Sequence, residues 1–216
     1  SASLLSAEHA INALQIFKTL EFGTQARKPI SQIINSLQQR YLSQFQEVFK
    51  LNNASQIFFC DEVLLVEGKT ELRVLPNIYS KILARPFHLR KIALVAVNGK
   101  DSLIPMKRVI SSLGIPVKII ADLDFVGSCA KWELINPENN QCFENFRQLV
   151  ANNRENNNLN IQPQQTESCL SLGQIKADKY KVLATLPNAN LIIQDIHSSL
   201  KNMDIYIWRS GDIETI

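Results

Sequence analysis

Four carboxylates stand out by their positions: Glu67, Glu71, Asp122 and Asp124. Glu67 ends the apolar run Val63-Leu64-Leu65-Val66, and Asp122 ends the run from Val117 to Ala121. Carboxylates brought together repel one another, and hard divalent cations are the usual remedy. Mg²⁺ accepts such oxygens and keeps several waters for a phosphate substrate. One or two ions of Mg²⁺ or Mn²⁺ can activate an attacking water and stabilise the leaving oxygen of a phosphodiester. Lys69 and Lys100 stand in turns beside the acids and can neutralise phosphates of a nucleic acid. A single strand-end glutamate or turn lysine is ordinary solvated charge; an ordered quartet is not.

The elements that must position these groups are legible in the same stretch. Val63–Val66 is apolar without polar alternation, which predicts a strand buried on both faces. Gly68 is expected to turn the backbone and Thr70 to cap the helix that follows, which runs to about Ala84 and carries Glu71 in its first turn. A second strand is expected over Lys91–Val97, a turn at Asn98-Gly99-Lys100 and a helix from Asp101 to about Leu113. The third strand ends in Asp122-Leu123-Asp124, where period-two alternation would point both aspartates the same way. Such alternation of apolar strands and helices predicts an α/β fold with a parallel sheet, whose ligands bind at the carboxyl ends of the strands.

The flanking chain is different in character. Residues 6–22 place Ala10, Ile11, Leu14, Phe17 and Leu20 on one face of an expected helix. A second amphipathic helix is expected from Ile30 to Leu51, as core packing or as a dimer contact. Residues 136–160 hold ten asparagines and are followed by Gln-Pro-Gln-Gln, a composition that predicts a mobile insertion around a short helix near Cys142–Val150. Helices are expected again near Leu170–Leu186 and Leu191–Leu200, and Asp204–Trp208 reads as a last strand. The net charge of +3 neither demands nor excludes nucleic acid, so any phosphate-binding surface must be local. The four cysteines have no paired spacing, which argues against zinc and for free thiols in a reducing compartment. No run is long enough to span a membrane, and a cytoplasmic protein is expected.

The ordered set LLVEGKTE, VAVNGKDS and IIADLDF resembles the Toprim domain of topoisomerases, primases and several nucleases. It is most similar to the overcoming lysogenization defect (OLD) family of ATP-dependent nucleases, whose first motif reads Val-Glu-Gly-x-Thr-Glu. The resemblance covers residues 58–126 and a tail at 206–214. It implies a Rossmann-like parallel sheet flanked by helices over 58–216, with an insertion around 136–165 and a helical extension or connector over 1–57. It further implies metal-dependent DNA cleavage in phage defence, with Glu67, Asp122 and Arg209 catalytic and Glu67 relaying a proton. Glu67, Glu71, Asp122, Asp124 and Glu214 would be the metal ligands. Lys69, Lys100 and Arg209 would be the phosphate or DNA contacts.

OLD proteins couple this domain to an ATPase, and no GxxxxGK[ST] loop occurs here. ATP would therefore act only through a module that this sequence lacks. Other readings are a Toprim nuclease acting on RNA, or a DNA- or metal-binding module without turnover. Asp122-Leu123-Asp124-Phe125-Val126 is also similar to the nucleophile motif of haloacid-dehalogenase phosphatases, a reading that leaves VEGKTE unexplained.

Overall fold

The computed structural model describes residues 16–19, 23–26, 32, 54–136, 138–155 and 159–213. Two compact units divide the chain, Ser1–Lys118 and Ile119–Ile216.

The first unit opens on an antiparallel pair, β1 (Ile16–Thr19) with β2 (Gly23–Ala26), Thr19 facing Gly23. This corrects the helix expected over 6–22 wherever that stretch is described. Ile16, Thr19 and Thr24 are β-branched, and Gly23 takes a φ of 68° that a glycine adopts without a Cβ penalty. The amphipathic helix expected over Ile30–Leu51, and the dimer contact attributed to it, lie outside the described residues.

A 3₁₀ turn (Ala54–Phe59) leads into β3 (Glu62–Val66), whose Val63, Leu65 and Val66 are buried. Helix α1 (Lys69–Leu83) follows and stops at Ala84, which turns left-handed at a φ of 50°. A short 3₁₀ segment (Phe87–Arg90) then carries the chain to β4 (Ile92–Ala96). Strands β3 and β4 are parallel, with Glu62 opposite Ile92 and Val66 opposite Ala96. Helix α2 (Leu103–Ser112) buries Leu103, Ile104, Met106, Val109 and Ile110, and the chain then enters β5 (Val117–Ala121). Lys118 forms an ion pair with Glu62, and Lys107 donates to the Val117 carbonyl at 2.6 Å.

In the second unit a buried 3₁₀ segment (Leu123–Ser128) precedes α3 (Asn140–Asn153). The short helix expected near Cys142–Val150 is present and longer than expected, with turns and irregular chain on either side of it where the insertion is described. Phe143, Phe146, Leu149 and Val150 recur at helical spacing and are all buried. Each such side chain contributes roughly 1.5–3 kcal/mol on burial, enough to outweigh the poor helix propensity of the asparagines between them. Helices α4 (Ala177–Ala184) and α5 (Ala189–Lys201) follow, then β6 (Ile205–Ile207), which lies parallel to β5 with Ala121 opposite Ile207. Together β3 to β6 make a parallel four-stranded sheet in the order β4-β3-β5-β6, flanked by helices: a Rossmann-like α/β fold. No described helix is long and apolar enough to cross a membrane.

Candidate active site

Each unit carries part of the expected constellation. In the first, Glu67 leaves the carboxyl end of β3, half-buried. Its carbonyl accepts from the Gly99 N–H at 2.9 Å, and the Val66 carbonyl accepts from Val97 N–H at 3.0 Å. The turn after β3 is thus fastened to the turn after β4. Asn98 and Gly99 reach that position through φ values of 59° and 119°, and the second demands glycine.

Helix α1 is capped differently from expectation. The cap is Gly68, and Thr70 lies within the helix. The Gly68 N–H donates to the Glu71 carboxylate at 3.1 Å, half of a capping box, because glycine has no side chain to return the bond. Glu71 is only 4% exposed, so this carboxylate is built into the base of the helix. Gly68 itself is extended at a φ of −145°, a conformation open to any residue. Lys69 is exposed, whereas Lys100 is half-buried at the start of a 3₁₀ turn (Lys100–Ser102).

In the second unit β5 ends at Ala121, and Asp122 caps the 3₁₀ segment. The two aspartates therefore do not alternate along a strand. With three residues per turn, positions 122 and 124 are about two-thirds of a turn apart. Asp122 is half-buried and Asp124 only 7% exposed. The segment is wedged against its neighbours through Gly127, where a Cβ would stand 2.5 Å from the Tyr180 hydroxyl and 2.9 Å from the Leu172 carbonyl. That hydroxyl donates to the same carbonyl at 2.9 Å, and the Tyr180 ring stacks on Phe146. Burial, and then the charge of Asp124, push the Tyr180 hydroxyl far above its ordinary range.

The tail returns to this turn. The Trp208 N–H donates to Ala121 at 2.9 Å, and the Leu123 N–H donates to Gly211 at 2.7 Å. Gly211 has a φ of 115° and passes so close to α4 that a Cβ would meet Lys181 Cγ at 3.0 Å. Asp212, which the sequence reading left aside, forms an ion pair with Lys181. Its signal was the glycine before it, which lets the chain pass this close to α4.

Arg209 is exposed, and its guanidinium donates to the Gln194 side chain on α5. On the same helix His197 meets the Ile207 carbonyl at 3.2 Å, and burial lowers its pKa. Glu214 lies outside the described residues. All four cysteines are free thiols, and burial raises the pKa of Cys129, Cys142 and Cys169.

Among the described residues, no three Asp, Glu, His or Cys side chains converge as ligands of one cation. The donors nevertheless suit a hard ion, since Mg²⁺ is commonly held by one or two carboxylates, with waters and substrate phosphates filling its shell. Glu71 and Asp124 are buried carboxylates beside Glu67 and Asp122 in sequence, and all four offer oxygen alone.

Comparison with known proteins identifies the segment. Residues 58–124 match the family described as overcoming lysogenization defect protein-like, TOPRIM domain. The whole chain is 39% identical, over 217 aligned residues, to the Old nuclease of Escherichia phage P2 and spans 36% of that protein's length. Residues 58–124 are thus an OLD-like Toprim segment.

Proposed function

We propose that this chain is the nuclease portion of an OLD-type protein, hydrolysing phosphodiester bonds in DNA. The observation that carries the reading is 39% identity along the full chain to part of an Old nuclease, with Glu67 and Asp122 each following a parallel strand of the matched Toprim segment. Glu67, Glu71, Asp122 and Asp124, with Glu214, would hold one or two Mg²⁺ or Mn²⁺ ions. The ion, when bound, supplies Lewis acidity toward the phosphodiester and the attacking water.

The protein's own groups do the rest. Glu67 accepts a proton as water oxygen attacks phosphorus; the P–O ester bond breaks, and the departing oxygen takes a proton in turn. Lys69 and Lys100 neutralise neighbouring phosphates, and Arg209 offers a guanidinium to the charge that develops on the scissile one. Glu71 also fixes the start of α1 and thereby the Glu67 turn. The working context is the cytoplasm, in phage defence, with an ATPase module as partner.

The test is plasmid cleavage. Nicking or linearisation is expected with Mg²⁺ or Mn²⁺ and none in EDTA. Glu67→Gln and Asp122→Asn should each lower the rate by about a hundredfold or more, since each removes a charged group from the reacting centre. A small phosphomonoester should not be turned over, because that would require Asp122 as a covalent nucleophile and leave Glu67 dispensable. Cleavage in EDTA, or full activity in both variants, would overturn the reading.

A further inference from the structure

We infer that the outer face of α1 is a track for the phosphate backbone of duplex DNA, running from the Glu67 turn toward Arg85. Lys69, Arg73, Asn77 and Lys81 stand four residues apart along the helix, and Arg85 follows its left-handed stop at Ala84. All five are exposed. Each step of four advances about 6 Å and rotates the position by only about 40°, so the four helical positions form one shallow row. From Lys69 to Lys81 the row is about 18 Å long. That is the axial length of roughly five phosphates on one strand of a duplex.

The helix offers these cations nothing to balance them. Its one acid, Glu71, is buried with Leu75 on the other side and is engaged by the Gly68 N–H. Asn77 donates to the Arg73 carbonyl at 2.9 Å and leaves the guanidinium alone. Among the described residues, the side chains of Lys69, Arg73, Lys81 and Arg85 make no ion pair or hydrogen bond.

An ordinary solvated helix face interleaves acids with bases four residues apart. Here Lys69 and Arg73 are like charges at that spacing, and Lys69 sits in the first turn, against the positive end of the helix dipole. Both features weaken the isolated helix, and a polyanion laid along the face relieves both. The wider charge distribution agrees. Residues 1–118 carry 15 Lys and Arg against 8 acids, a net +7, and residues 119–216 carry 8 against 12, a net −4. The chain's overall +3 conceals a basic first unit.

This inference rests on the nuclease reading, but its test does not need turnover. Binding of a fluorescein-labelled 20-base-pair duplex is followed by anisotropy in EDTA across a salt series. Arg73→Gln/Lys81→Gln should weaken binding and flatten the slope of log K against log salt by about 1.8, two lost phosphate contacts at roughly 0.9 each. Lys176→Gln/Lys201→Gln removes the same charge from exposed positions in the second unit and should leave the slope unchanged. Arg73→Lys/Lys81→Arg keeps the charges and should keep the slope. Equal effects of the two Gln pairs, no effect of the first, or no duplex binding by the parent protein would each overturn the track. A flattened slope in a protein that never cleaves sinks the nuclease reading and leaves the track. Cleavage with an unaltered slope does the reverse.

Discussion

Two glycines flanking the candidate carboxylates behave oppositely, and the difference lies in what a methyl group would touch. At Gly68 a Cβ would meet only Glu71 Oε2, at an ordinary 3.5 Å, on an extended backbone. At Gly127 it would collide with the Tyr180 hydroxyl and with the backbone at Leu172 and Gly173. Gly127→Ala should therefore cost about 1–3 kcal/mol from overpacking, with about 1 kcal/mol more if the Tyr180 hydrogen bond is lost. Gly68→Ala should cost under about 1 kcal/mol. Urea midpoints read both, and equal midpoints for the two variants would refute the wedge at Gly127. The residue scale was the hardest to read in advance. Glu67 at a strand end was legible because the apolar run before it stops abruptly. The 3₁₀ geometry at Asp122–Asp124 was not, because two aspartates separated by one residue look the same on a strand and on a turn. Nor was the Glu71 cap, since a glycine at the cap position hides the signature that Ser or Thr would display.

Elements fared according to how strongly their pattern departs from the average. Strands β3, β4 and β5 are predominantly apolar runs, and their limits in the structure lie within a residue or two of those expected. Helix α3 was expected as a short helix near Cys142–Val150 and is longer, Asn140–Asn153, because its asparagines set the composition of the window while four apolar residues set the physics. Phe146 is fully buried and stacks on Tyr180, so Phe146→Ala should cost about 3–5 kcal/mol in a denaturation experiment. Asn145→Ala, one position away and without its own place in the core, should be near neutral or slightly stabilising through helix propensity. A loss under about 1 kcal/mol for Phe146→Ala would mean that α3 contributes little to the core. The β1–β2 pair was missed because Phe17 and Leu20 fit a helical period as well as a strand, and only Gly23 distinguishes the two.

At the scale of the molecule, sequence order and chemistry are joined by the last strand. The 216 residues contain no phosphate-binding GxxxxGK[ST] loop, so millimolar ATP should leave the rate of DNA cleavage by this chain unchanged. Stimulation by ATP in a purified sample would require a nucleotide site that the sequence does not announce. The parallel β6 was legible from Asp204–Trp208, but its bond to the Asp122 turn was not, because partners 88 positions apart (123 to 211) leave no local mark. That separation puts the turn under the control of synthesis. As the polypeptide leaves the ribosome, Asp122 and Asp124 emerge well before Gly211, and until Gly211 arrives the Leu123 N–H lacks the carbonyl that closes their turn. Pairings this distant in sequence are also the slow ones to form. A polypeptide that stops between Asp124 and Gly211 therefore carries both aspartates and leaves their turn without the carbonyl that closes it.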